Sequence, residues 1–194
     1  MAIQFQYNKT SLQGLEKNLK MRERTLPTIK NKESALRIEV KRAKDEIIAL
    51  ENQLEEAIRS YDKMLALWAE FDATLLTVED VELGTKKVAG VKVPVITNIK
   101  YITKPFSVFC SPKWFADGLS VLKKMAEIGL ERELCAEKVR LLEYARKKTT
   151  QKVNLFEKVQ IPGYQDAIRK IKRFMEDEEN LSKSSQKIVK AKRV

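Results

Sequence analysis

A chain of 194 residues with only 6 Gly and 5 Pro has too little punctuation for a fold of many strands and turns, and 34% charged with 7% aromatic residues fits long helices with narrow apolar stripes. The absence of histidine excludes Ser-His and Cys-His nucleophiles, two-His zinc sites and imidazole proton shuttles. The net charge of +11 is uneven, +1 over residues 1–75, +3 over 76–113 and +7 over 114–194.

The N-terminal residues lack the basic start and apolar run of a signal peptide, and the longest apolar run, Met64 to Ala69, is far too short to span a bilayer. A cytoplasmic chain without membrane insertion is expected, in which the sequons at Asn8 and Asn180 have no role. Alternating steps of three and four from Leu12 through Leu15, Leu19, Leu26, Ile29, Leu36, Val40, Ala43, Ile47, Leu50, Leu54, Met64 and Trp68 to Leu75 give nineteen seam positions, polar only at Arg22 and Glu33. So long a seven-residue repeat predicts an arm of a left-handed coiled coil, about 95 Å long at ~1.5 Å per residue.

Residues 77–110 change character, with Gly84, Gly90, Pro94 and Pro105 among Val and Ile. Val91-Lys92-Val93-Pro94-Val95 alternates with period two behind an Ala89-Gly90 turn, which predicts a β-hairpin. Pro94, lacking an N–H, places its strand at an edge or its own position outside the ladder. From Lys113 the helical pattern returns through Leu119, Leu122, Leu134, Leu141, Phe156, Tyr164, Ile168 and Ile171.

The expected fold is mainly α: a long antiparallel two-helix left-handed coiled coil with a small β-hairpin insert at the end opposite the termini. Its parts are an N-terminal arm (1–76), a hairpin and connector (77–112), and a C-terminal arm with a basic tail (113–194). The two seams are expected not to depend on the hairpin, and Trp68, Phe71 and Trp114 read as core filling where arms and hairpin meet, with a partner pocket as the alternative. Pairing Leu75 with Trp114 gives partners whose numbers add to about 189, which sets Pro27 opposite Pro162. A shared kink or local unwinding is therefore expected around Leu26 to Thr28 and Ile161 to Gly163, with Gly163 adding backbone freedom.

No catalytic, metal or cofactor constellation emerges. Gly84 to Lys92 does not make a phosphate loop, because five residues separate Gly84 from Gly90 and Val91 stands where a lysine must follow the glycine. Glu176-Asp177-Glu178-Glu179 point in different directions on a helix and form a solvated run. Cys110 and Cys135 make no CxxC pair and read as buried free thiols. The tail holds Lys183, Lys187, Lys190, Lys192 and Arg193 with no acid between them. That charge suits nucleic acid, an anionic membrane, an acidic protein surface or a bare helix C-terminus.

Three segments are similar to the D subunit of the V/A-type rotary ATPases. Leu12, Leu15 and Leu19 with Ile29 to Leu36 resemble that family's leucine-rich start and LLK-x-K-x-x-x-L stretch. Gly90-Val91-Lys92-Val93-Pro94-Val95 resembles its GVxVP hairpin, and Lys152-Val153-Asn154-Leu155-Phe156-Glu157 with Ile161-Pro162, then Ile168 and Ile171, its RVNALE…IP…I signature. The resemblance implies a non-catalytic central-stalk rotor subunit that carries torque between the A/B hexamer and the membrane ion-translocating ring. It implies as partners the A and B subunits, the small F subunit and a membrane-rotor connector, with no cofactor, no nucleic acid and only peripheral membrane association. The basic tail would then face the stator ring. The alternative is a basic coiled-coil protein that binds nucleic acid or acts as a scaffold, which needs Lys and Arg along one face with aromatics for stacking.

Overall fold

The computed structural model describes residues 3–61, 75–105 and 114–192. Helix accounts for 78% of these residues, and the elements follow in the order α1 (Lys9–Tyr61), β1 (Leu76–Val88), β2 (Val91–Thr103), α2 (Phe115–Asn154), a π-helical turn (Leu155–Gln160) and α3 (Ile161–Ala191). Trp68, Phe71 and Cys110 lie outside the described residues.

Helix α1 begins where Asn8 caps it. The Asn8 Oδ1 accepts the Ser11 backbone N–H at 2.7 Å, and the Ser11 hydroxyl accepts the Gln6 N–H at 3.3 Å. One orphaned donor of the first turn is thus satisfied, and the segment before the helix is tied to that turn. Asn8→Ala is expected to destabilise the N-terminal end by about 1 kcal/mol, read as a lower thermal midpoint and earlier fraying of the first turn in hydrogen exchange.

The chain forms two compact units, one comprising residues 1–34 with 147–194, the other residues 35–146. In the first, the terminal unit, α1 runs antiparallel to the second arm. Leu15, Ala167, Ile168 and Ile171 form its core, with Ile3, Phe5, Leu12, Leu19, Tyr164 and Met175 packed around them. Ion pairs Glu16–Lys172 (2.9 Å) and Lys30–Glu157 (2.8 Å) cross between the arms. Gly163 serves packing here rather than loosening the backbone: a Cβ on it would meet the Ile3 Cδ1 at 3.0 Å, so its missing side chain lets the N-terminal segment lie on α3.

In the central unit the arms are again antiparallel, crossed by Lys44–Glu143 (2.6 Å), Glu46–Lys138 (2.7 Å) and Glu51–Arg132 (2.9 Å). Partner numbers add to 183–187 here and to 187–188 in the terminal unit, against the 189 expected from sequence. Strands β1 and β2 form a two-stranded antiparallel ribbon with irregularities between Val78 and Asp80 and between Glu82 and Leu83. The turn has Ala89 at φ 48° and Gly90 at φ 80°, the left-handed pair that a tight two-residue hairpin requires. Ala89 bears the steric cost of that conformation while packing against the arms.

The hairpin is not an independent insert. Val93 is buried in one cluster with Leu36, Val40, Ala43 and Leu142, and Val88, Ala89 and Val91 pack on the same cluster. The expectation that the seams ignore the hairpin is thereby corrected. A two-stranded ribbon cannot bury its own apolar face, so its tip takes cover on the helices. At the ribbon's base, Leu75, Phe115 and Leu119 form a third cluster flanked by Leu76 and Trp114, with the Trp114 and Phe115 rings edge to face at 5.0 Å.

The expected unwinding is present on one arm only, one turn early. Pro27 lies inside the continuous helix α1, whereas Leu155–Gln160 is π-helical and Ile161 donates its N–H to the Phe156 carbonyl. Pro162 follows immediately, in the first turn of α3. A proline cannot donate and crowds the carbonyl four residues earlier, here that of Lys158, and a widened turn accommodates both demands.

Candidate functional site

The candidate tail occupies the last turns of α3, where residues 176–192 are all exposed. Lys183 pairs with Glu179 at 2.7 Å, and this lysine holds the Glu179 carboxyl below the usual carboxylate range. Lys187, Lys190 and Lys192 follow on the exposed surface, and Arg193 lies outside the described residues. Leu181, Ile188 and Val189 share this stretch at 69%, 57% and 52% exposure. Leu181 and Ile188 continue the seven-residue spacing of Phe174, so the tail combines an apolar line with cations.

Charge is divided between the units. The terminal unit holds 20 Lys and Arg against 9 Asp and Glu, while the central unit holds 18 of each. The whole excess of +11 therefore sits on the unit that carries both termini. Lys17, Lys20 and Arg24 extend it along α1, around an open groove with Met21, Thr25 and Thr28.

The signature residues serve the arm pairing. Lys152 and Asn154 are exposed and Val153 half-buried, at the end of α2. Glu157 lies in the π-turn and receives Lys30, while Ile161 closes that turn. Pro162 is exposed. In the hairpin, Gly90 makes the turn, Val91 and Val93 pack on the helices, and Pro94 pairs with Thr85 in a ribbon whose strands are both edges.

Sequence reasoning treated Arg22 as a mere break in the seam. Its Nε donates to the Gln160 Oε1 at 2.7 Å and its Nη1 to the Asn18 carbonyl at 3.2 Å. Its guanidinium also lies 4.7 Å from the Tyr164 ring centroid and 5.9 Å from that of Phe156. The available signal was its pairing: a seam cation facing Gln160 between two aromatics is an arrangement that cation–π attraction and hydrogen bonding stabilise together.

Chemistry of other kinds finds little support. A cavity of about 430 Å³ opens between Leu50, Ile96 and Leu134, with Glu46, Cys135 and Lys138 on its wall. Burial, then the hydrogen bond to Glu46, pushes the Cys135 thiol up, the opposite of what a nucleophile requires. Lys138 holds the Glu46 carboxyl below its usual range against the opposing effect of burial. A depressed carboxylate contributes stability above its unfolded value and loses it as pH falls through the folded one. Glu46→Gln is therefore expected to lower stability at neutral and alkaline pH and to flatten its fall on the acid side, leaving stability at the acid end unchanged, by a small amount because the carboxylate is half exposed. Among the described residues no His, Cys, Asp or Glu group is arranged to hold a metal, and no helix is long and apolar enough to cross a membrane.

The chain matches the family of ATP synthase D subunits over residues 11–191. The V-type ATP synthase D subunit of Borreliella burgdorferi is 30% identical over 186 residues, 94% of this chain and 92% of the relative. That of Chlamydia felis is 31% identical over 182 residues, covering 91% and 88%. That of Chlamydia muridarum is 26% identical, covering 99% and 97%.

Proposed function

Since the chain belongs to the family of ATP synthase D subunits, we propose that it is the central rotor shaft of a V/A-type rotary ATPase, non-catalytic, transmitting torque between the A/B hexamer and the membrane ring. The observation that carries the reading is the division of charge, +11 on the unit with both termini and zero on the unit with the hairpin. A strongly basic unit suits a socket of opposite charge, whereas a neutral one suits packing against other parts of a rotor. The basic terminal unit, with Lys183, Lys187, Lys190, Lys192 and Arg193 on the tail, seats in the A and B ring. The neutral central unit meets the small F subunit and the membrane-rotor connector.

Torque passes through paired antiparallel helices, whose backbone hydrogen bonds and packed seams resist twisting. Exposed ion pairs suit the bearing, because each is worth only about 0–1 kcal/mol and is remade at every step. In this reading nucleotide chemistry belongs to the surrounding ring.

Replacing Lys187, Lys190, Lys192 and Arg193 by Gln is expected to weaken assembly with the A and B ring by roughly tenfold at low salt, with unchanged helix content by circular dichroism. The loss should shrink as salt rises, since screening already weakens the wild type. Unchanged assembly would contradict the seating, and tight, salt-steep DNA binding that the variant loses would favour the nucleic-acid reading.

A further inference from the structure

The π-turn marks a place where the arms cannot keep a regular seam. Inward positions along the second arm run Thr149, Val153, Phe156, Gln160, Tyr164, Ala167 and Ile171. The steps Phe156 to Gln160 to Tyr164 are both of four residues, where a heptad alternates three and four. The arm therefore carries one residue more than the repeat accommodates. Such an excess is either spread over several turns as a change of supercoil or absorbed at one point as a π-bulge.

Here it is absorbed at one point, and three features converge there. Pro162 directly follows the π-turn and removes a helical donor. Pro27 lies on the facing helix between Arg22 and Lys30, whose cross-arm partners, Gln160 and Glu157, both belong to the π-turn. Both helices thus lose a backbone hydrogen bond at about the same level. Arg22 spans the turn from Phe156 to Tyr164.

We propose that the π-turn, the two prolines and Arg22 form a flexure in the terminal helix pair, a single absorbed residue at which the pair bends or twists before its seam opens. Arg22 is its positioning residue, holding the two sides in phase while the turn between them deforms. The consequence for rotation rests on the shaft reading above, because a joint at this level stores strain between catalytic steps. The flexure itself is a property of the isolated chain.

The test is hydrogen exchange with thermal unfolding on the full-length protein. Wild-type amides of the π-turn are expected to exchange on the order of 100-fold faster than those of the flanking turns. Deleting Val159, an exposed residue, together with Pro162→Ala restores the heptad count between Thr149 and Ile171. That variant should exchange at flanking rates with a thermal midpoint at or above wild type. Deleting exposed Lys147 from regular helix throws the seam out of phase instead, and should lower the midpoint by about 5 °C or more. Arg22→Ala should speed exchange in the π-turn while leaving the hairpin's protection unchanged. Equal protection of π-turn and flanks in the wild type, or a Val159 deletion as damaging as the Lys147 deletion, would overturn the flexure. Confirmed exchange patterns with unaltered coupling in the assembled ATPase would leave the flexure standing and count against the shaft reading.

Discussion

Truncating Leu142 to alanine is expected to lower the stability of the central unit by about 3–5 kcal/mol. Leu142 has no exposed surface and sits where three elements converge, beside Leu36, Val40 and Ala43 of α1 and Val93 of β2. The cavity left behind is walled by two helices and a ribbon, so little of it can close by local relaxation. Leu181→Ala, on the exposed tail, should change stability by less than about 0.5 kcal/mol. Denaturant unfolding of both variants checks the contrast, and similar costs at the two sites would show that the central cluster does not hold the unit together.

The second large effect is expected at the hairpin tip. Val93 is 1% exposed, and Val93→Asp places a carboxylate among the apolar side chains of Leu36, Val40, Ala43 and Leu142. Such a charge costs several kcal/mol unless the structure moves to hydrate it. The cheapest movement is release of the ribbon, which uncovers Leu36, Val40, Ala43 and Leu142. The variant should therefore bind more of a hydrophobic dye and self-associate while keeping most of its helix signal. Val95→Asp, two residues away but 42% exposed, is the control and should do neither. Deleting Val78 to Thr103 should reproduce the Val93→Asp behaviour, in contrast to the independence of the seams inferred from sequence alone.

The arms and the hairpin were legible because their signals are local. Nineteen seam positions broken only at Arg22 and Glu33 leave little alternative to a long helix, and Ala89-Gly90 between alternating valines marks the turn. The docking of Val93 was not legible. Period two says that one face of a strand is apolar, but not which distant surface covers it. The two breaks in the seam read as defects because each was considered without its partner. In the folded chain Glu33 accepts the Thr150 hydroxyl at 3.3 Å, and Arg22 finds Gln160 and two rings. The proline level was legible from antiparallel counting, yet the unwinding lies one turn ahead of Ile161-Pro162. The constraint falls on the carbonyls that precede a proline rather than on the residues that follow it. For the tail, composition revealed the cations, while their concentration on one unit needed the division of the folded chain.

Rotation observed in single assembled complexes tests the central claim most directly. With the A and B ring fixed to a surface and a bead attached to the exposed Lys92 position of the hairpin, ATP should drive stepwise rotation in one direction. Under the same conditions the tail variant with Lys187, Lys190, Lys192 and Arg193 changed to Gln should slip or detach more often. A bead that stays fixed relative to the ring while ATP is hydrolysed at the full rate would contradict the assignment of this chain as the shaft.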